Sequence, residues 1–203
     1  KLDISQWREM TVDLTITPQD VTISNVRQIL FAGGKWVGNY ISPELEVPEA
    51  HKAVLMQVGA YARDHGHVAD EGINCGIDYF VSGDEVIVTE INARWTGGLF
   101  PAEFLRRLAI TQPAVAFFDM VPVAQSKAVQ TFQREHLFPA AGDAFAYVPM
   151  GFTPFAMEIE GAERYFVWQI VVGDFAAFVE AKRQKLPEDT FPTAELILQE
   201  ALS

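Results

Sequence analysis

The stretch from Gly72 to Gly98 concentrates the side chains able to do chemistry: Asp78 in one β-like run, Glu90 and Asn92 in the next, then Arg94 and the pair Gly97-Gly98. Gly76 to Val81 and Glu85 to Asn92 read as strands joined by Ser82-Gly83-Asp84, a short Gly-containing loop that favours antiparallel pairing. Side chains alternate faces along a strand, so Glu90 and Asn92 share a face, and Arg94 continues that parity if the strand runs on. A loop of Ser82, Gly83 and Asp84 pairs Val81 with Glu85 and Asp78 with Val88, which sets Asp78 on the Glu90 face. A loop one residue shorter pairs Asp78 with Thr89 and turns its carboxylate to the other face. With the longer loop, two carboxylates and an amide converge, a set of hard oxygen donors that suits magnesium together with substrate phosphates. Phe80, Val86 and Val88 are expected on the same face, where unpaired carboxylates are costly without a cation. The Thr96-Gly97-Gly98 turn feeds a helix expected from about Pro101 to Ala109, whose free N–H groups favour anions.

The elements that must position this set follow from pattern. Met10 to Ile16 alternates and is rich in β-branched residues, so a strand is expected; Pro18-Gln19-Asp20 turns into a second strand over Val21 to Phe31. Gly33-Gly34 breaks that run, and Trp36 to Ile41 reads as a third strand. Pro48 to Gly66 reads as a helix with Ala50, Val54, Val58 and Tyr61 or Ala62 facing the core. Thr111 to Gln125 is apolar and is read as holding a second helix, while Gln133 to Gly151 reads as irregular. Arg164 to Val172 is strongly β-like, Phe175 to Lys185 is helical, and Thr193 to Leu202 reads as a last helix. Strands mixed with helices and few βαβ alternations make the fold class α+β, a mostly antiparallel sheet with flanking helices. Two domains are expected, residues 1–125 carrying the Asp78 to Gly98 motif and residues 126–203 forming an extension with a role in substrate choice.

The run Gly-Ile-Asn-Cys-Gly-Ile-Asp-Tyr-Phe, followed by Glu-Ile-Asn-Ala-Arg-Trp-Thr-Gly-Gly, resembles the C-terminal lobe of ATP-grasp enzymes. Val12 to Ile16 and Val26 to Ile29 look like the first strands of that lobe, and the resemblance covers roughly residues 7 to 110. The Glu-x-Asn-x-Arg form is closer to carboxylate–amine and peptide ligases than to D-alanine ligase. The resemblance implies an acyl-phosphate mechanism, in which ATP phosphorylates a carboxylate and an amine attacks to form an amide. It implies that Asp78, Glu90 and Asn92 hold magnesium, with manganese as an alternative ion. Arg94 would stabilise the transferring phosphoryl group or hold the acyl substrate, Gly97 and Gly98 would approach phosphate or carboxylate through their N–H groups, and Arg27 would serve the same anionic zone. Two departures stand out. D-alanine-type ligases carry Arg two residues before the strand Asp, where this chain has Gly76. The family's adenine pocket and nucleotide-clamping lysines lie in an N-terminal lobe. The chain opens at Lys1 almost directly in strand-like sequence, so it is expected to be the C-terminal part of a longer protein, completed by that lobe in the same chain or in another subunit.

Composition bounds the remaining classes. Fifteen Lys plus Arg against twenty-seven Asp plus Glu give a net charge of −12, which argues against nucleic acid or an anionic membrane as the main partner. The expected partners are a small-molecule carboxylate and an amine. A lone cysteine, Cys75, forms no internal disulfide and fits a cytoplasmic setting. Plainer readings stand beside the chemical ones: a solvated hairpin face for the carboxylates, an ion pair of Arg94 with Glu90 or Glu103, and a positive-φ turn for Gly97-Gly98. Gly33-Gly34-Lys35 lacks phosphate-loop spacing and reads as a hairpin turn, and His65-Gly66-His67 reads as surface histidines rather than a zinc site. Tyr165, Phe166, Trp168, Phe175 and Phe178 read as core. A non-catalytic ligand- or partner-binding module derived from such a lobe is the alternative to the ligase, and a metal-dependent hydrolase is a third.

Overall fold

The computed structural model describes residues 6–140, 142–159 and 161–202. The chain packs as two units, one of residues 1–29 and 41–110, the other of residues 30–40 and 111–203. The boundary expected at residue 125 lies inside the second unit, and the short hairpin at Gly33-Gly34 groups with that unit as well. The class is α+β with antiparallel strands, as the patterning predicts.

In the first unit β1 (Arg8–Ile16), β2 (Val21–Ala32, which runs on into the second unit), β4 (Ile73–Ser82) and β5 (Glu85–Asn92) lie in the order β5-β4-β1-β2. Period-two alternation gives this sheet two unlike faces. Met10, Val12, Leu14 and Ile16 from β1 and Cys75, Ile77, Tyr79 and Val81 from β4 form one buried apolar face. Helix α1 (Glu49–Asp64) covers it through Leu55 and Ala62. The helix buries His51, Leu55, Gly59 and Ala62, so Ala62 faces the core as expected and half-buried Val58 packs against it, while the face is turned away from Ala50 and Tyr61, which are exposed, and leaves Val54 half-buried. Two contacts set this rotation. Gly59 lies so close to β1 and β2 that a Cβ there would stand 2.6 Å from both Leu14 Cδ1 and Val21 Cγ1. His51 Nε2 reaches the Gly83 carbonyl oxygen of the β4–β5 turn at 2.8 Å. Helix α2 (Leu99–Arg107) begins two residues earlier than its Pro101 suggests and ends the unit.

The second unit contains β3 (Lys35–Ile41), β6 (Ala114–Pro122), β7 (Phe145–Phe152), β8 (Met157–Ile159) and β9 (Ala162–Gly173), in the order β3-β6-β9-β7 with β8 paired to β9. Gly33 and Gly34, at φ of 58° and 72°, make the tight turn into β3 that their sequence calls for. Helix α3 (Ser126–Glu135), α4 (Phe175–Lys185) and the short α5 (Pro192–Leu196), followed by a π-turn over Ile197–Ala201, complete the unit. Its core gathers Phe117, Phe132, Phe145, Tyr147, Phe175, Phe178 and Phe191.

Three expectations fail here. Residues 114–122 form a strand rather than a helix, because a short apolar run carries no period that separates the two. The stretch read as irregular holds the end of α3 and most of β7. Phe166 and Trp168 lie outside the core, Phe118 stacking on each at 5.2 and 5.3 Å.

A buried carboxylate organises the end of this unit. Asp119 accepts hydrogen bonds from the backbone N–H of Met120, Thr193 and Ala194, at 2.8, 3.1 and 2.9 Å, and so caps α5. Burial pushes its pKa up to about 7, against the pull of those three donors. An acid whose pKa is raised in the folded state stabilises most at low pH, and that contribution fades as pH rises through about 7. Thermal melts should therefore fall in midpoint between pH 5 and pH 8, with a stability slope of up to about 1.4 kcal/mol per pH unit from this group. Asp119→Asn should remove that part of the slope, and an unchanged slope would disprove the assignment.

Candidate functional site

The second face of the first unit's sheet is polar. Glu9, Thr11 and Asp13 of β1 alternate with its apolar residues, and the strand pairing sets Thr11 beside Asp78 and Asp13 beside Gly76. On the other side of β1, Thr11 pairs with Arg27 and Asp13 with Asn25. On β5, Glu90 stands directly opposite Asp78 and Asn92 opposite Gly76. Asp78, Glu90 and Asn92 are therefore brought together, as the motif requires.

The route to that arrangement differs from the one expected. The hairpin loop is Gly83-Asp84 alone, with Ser82 paired to Glu85, which by itself would turn Asp78 away from Glu90. A β-bulge at Thr89 adds one residue to β5 and restores the parity: Tyr79 pairs with Val88, then Asp78 with Glu90. The Thr89 hydroxyl donates to the Asp78 carbonyl oxygen at 2.9 Å and holds the extra residue in place. The two-residue loop, ahead of the bulge, sets Val86 and Val88 on the apolar face, where they pack on the Val12–Ile77 core, so the expectation that they flank the carboxylates is corrected.

Burial raises the Asp78 carboxyl above its ordinary value, and the facing Glu90 raises it further, while Arg27 opposes the rise. Burial likewise raises Glu9, with Asp78 adding to the effect. Among the described residues neither Asp78 nor Glu90 has an ion-pair partner within 4.0 Å. Asn92 Nδ2 donates to Asp78 Oδ2 at 3.2 Å, which orients the carboxylate and leaves the amide oxygen of Asn92 free to accept. Two facing carboxylates with an amide oxygen fit a hard divalent cation. Among the described residues no cluster of three or more His, Cys, Asp or Glu side chains is arranged to hold a metal ion, so the amide and groups from outside these residues would have to complete the shell.

Arg27 is fully buried. Its guanidinium forms an ion pair with Asp13 Oδ2 at 2.5 Å, donates to Thr96 Oγ1 at 3.2 Å and bonds the side chain of Asn25. Thr96 in turn donates to Asp13 Oδ1 at 3.3 Å, and Asn74 Nδ2 donates to the same oxygen and to the Arg94 carbonyl, each at 3.0 Å. This network ties the loop after β5 down onto the polar face. It also accounts for Gly76: a Cβ there would lie 2.2 Å from Thr96 Cγ2, so the glycine leaves room for the loop to close. Glu9, Thr11, Asp13, Asn74 and Thr96 escape a search for spaced carboxylates. The signal that would have found the first three is the same alternation that identifies β1.

Strand β5 stops at Asn92, so Arg94 does not continue its parity. Its side chain is exposed, with one hydrogen bond to the Trp95 carbonyl at 3.4 Å, and among the described residues it has no ion pair; Glu103 pairs with Arg106 and Arg107 instead. Gly98 caps α2 at φ −70°, an ordinary helical value, and Gly97 is exposed beside it. A cavity of about 410 Å³ adjoins this loop, lined among others by Asn25, Asn74, Trp95, Glu103 and Arg106. His65 and His67 each bond a backbone carbonyl, of Tyr61 and Asn74, at 2.8 Å.

Comparison with known proteins adds the following. No protein-family model matches the sequence. No curated protein sequence matches it. Among solved structures, the phosphoribosylaminoimidazole carboxylase ATPase subunit from Aquifex aeolicus aligns over 89% of this chain and 56% of its own, at 9% identity and a TM-score of 0.51. An ADP complex of an N5-carboxyaminoimidazole ribonucleotide synthetase aligns over 87% of this chain and 48% of its own, at 10% identity and a TM-score of 0.51. This chain shares their fold. The fold that the resemblance implies is thereby borne out, and the chain spans about half the length of these two proteins. Among the described residues no helix is long and apolar enough to cross a membrane.

Proposed function

We propose that this chain is the C-terminal part of an ATP-dependent carboxylate–amine ligase that forms an amide through an acyl phosphate. The observation that carries the reading is the pair Asp78 and Glu90, facing each other across the β4–β5 hairpin with Asn92 bonded to Asp78 and no basic partner among the described residues. The bulge at Thr89 spends a residue to make that pair, which a solvated hairpin face does not need. Asp78, Glu90 and Asn92 are assigned to magnesium, or manganese, accompanying ATP. The cation, when bound, would neutralise phosphate charge and stabilise the ionised Asp78 carboxylate that burial disfavours. Arg94, exposed and unpaired among the described residues, meets anionic phosphate or acyl substrate, and the N–H groups at Gly97 and Gly98 lie at the start of α2 where anions are favoured. Arg27 acts on the same anionic zone from below, through Thr96 and Asp13. The cavity beside Trp95 and Arg106 is assigned to the carboxylate or amine substrate. The ADP complex among the fold neighbours and the half-length coverage support the ATP assignment and an N-terminal lobe outside this chain.

The test uses the complete protein with ATP, magnesium and a panel of carboxylates paired with amines, following ADP release and product mass. ADP release that requires both an acid and an amine, with the mass of an amide, is the expected result. A complete protein that binds no nucleotide in a calorimetric titration would disprove the ligase and favour the non-catalytic binding module.

A further inference from the structure

The second unit holds a cavity of about 440 Å³ between α3 and the β6, β7 and β9 strands, lined by none of the residues assigned to the proposed ligase site and not needed by that reading. Its volume lies within the range of pockets that take small organic ligands, roughly 300–1,000 Å³. Val121, Val129, Pro149 and Phe152 supply an apolar wall. Leu137 and Phe152 also line it, yet both stay about half exposed, at 44% and 48%, an apolar surface left open to solvent at the cavity. The wall is preformed: Gln133, only 8% exposed, donates to the buried Tyr147 hydroxyl at 2.7 Å.

One charge meets this apolar space. Arg134 lines the cavity and is exposed, and among the described residues it has no ion-pair partner within 4.0 Å. That is notable in a chain with twenty-seven acidic residues and fifteen basic ones, where the next residue, Glu135, turns to Lys185 instead. Gln130 lines the same cavity four residues earlier on α3, so its amide and the Arg134 guanidinium share a helix face. A planar guanidinium with a neighbouring amide suits a carboxylate. A single cation suits a monoanion, and the wall demands an apolar body.

We propose that this cavity is a binding site for a small monocarboxylate with an apolar chain or ring, its head on Arg134 and Gln130 and its body on Val121, Val129 and Phe152. Octanoate serves as the probe and octanol as its uncharged counterpart. Isothermal titration of the full chain at neutral pH should show one octanoate site, with octanol binding about tenfold more weakly. Arg134→Gln, a surface change that leaves the wall intact, should weaken octanoate about tenfold and bring it level with octanol. Gln130→Trp, filling the space from an exposed position, should abolish binding of both. Absence of octanoate binding to the unaltered chain would overturn the proposal. So would binding that neither substitution weakens, which would place the probe elsewhere on the surface.

Discussion

Glu90→Ala in the complete protein should lower ATP-dependent amide formation by about 10²–10³-fold while the fold survives. Glu90 is exposed at its strand position and has no hydrogen bond or ion pair to lose among the described residues, so its removal costs the folded state little, within about 0.5 kcal/mol. Its effect on Asp78 runs the other way. Glu90 raises the Asp78 carboxyl by repulsion, in addition to the rise from burial. A raised acid gives its stability at low pH and loses it as pH climbs through the folded value, so in the absence of a divalent cation the first unit should weaken as pH rises through the carboxylate range. Glu90→Ala should soften that decline, and magnesium should reverse it in the unaltered protein by stabilising both ionised carboxylates. Thermal melts with and without magnesium, beside turnover, therefore separate two roles. A substitution that leaves turnover intact would sink the metal assignment. Lost turnover in a protein at least as stable as the unaltered one, with a softened pH decline and a lost magnesium response, would support it.

The parts of this site that were legible in the sequence are those carried by a short period. The alternation of Met10, Val12, Leu14 and Ile16 announces β1, and the same alternation sets Glu9, Thr11 and Asp13 on the opposite face. Phe175–Lys185 is a helix over the predicted span because Asp174 accepts from the Ala177 N–H and Gly173 breaks the preceding strand. The bulge at Thr89 left no such mark. Threonine is an ordinary strand residue, and the hydrogen bond that fixes it runs to a carbonyl on another strand. Predicting a longer loop reached the right faces for Asp78 and Glu90 by the wrong count, and it misplaced Val86 and Val88 as a result. The pairing of Asp13 with Arg27 was hidden for the same reason. It depends on a second bulge, at Ser24, whose hydroxyl bonds the Asp13 carbonyl at 3.0 Å. Long-range partners are set by register, and register is set by single-residue irregularities that composition does not encode.

Arg27→Met should destabilise the first unit by about 3–5 kcal/mol, the usual cost of removing one partner from a buried ion pair. Asp13 and Arg27 are both fully buried, and without the guanidinium Asp13 Oδ2 faces no cation while Thr96 loses a donor. In a chain of this length the melting midpoint should fall by about 10 °C. Fold and chemistry are then separable by a second substitution. Asp13→Leu with Arg27→Met removes both charges at once, and apolar replacement of a buried pair is often neutral. The double variant should therefore regain part of the lost stability, short of all of it because the buried Thr96 hydroxyl and the Asn74 amide lose their Asp13 acceptor. Its turnover is the informative reading. If Arg27 serves only to brace Asp13, the refolded double variant of the complete protein should recover activity along with its melting point. Arg27 also opposes the burial-driven rise of the Asp78 carboxyl, and it holds Thr96 in the loop that leads to Gly97-Gly98. Asp13, which raises that carboxyl, leaves with Arg27 in the double variant, so the two effects on Asp78 largely offset and the loop, less firmly placed, is what should keep the stable double variant impaired, with turnover that recovers in part as magnesium is raised. A double variant with that regained stability and full activity at neutral pH would confine Arg27 to the fold and remove it from the anionic zone of the site.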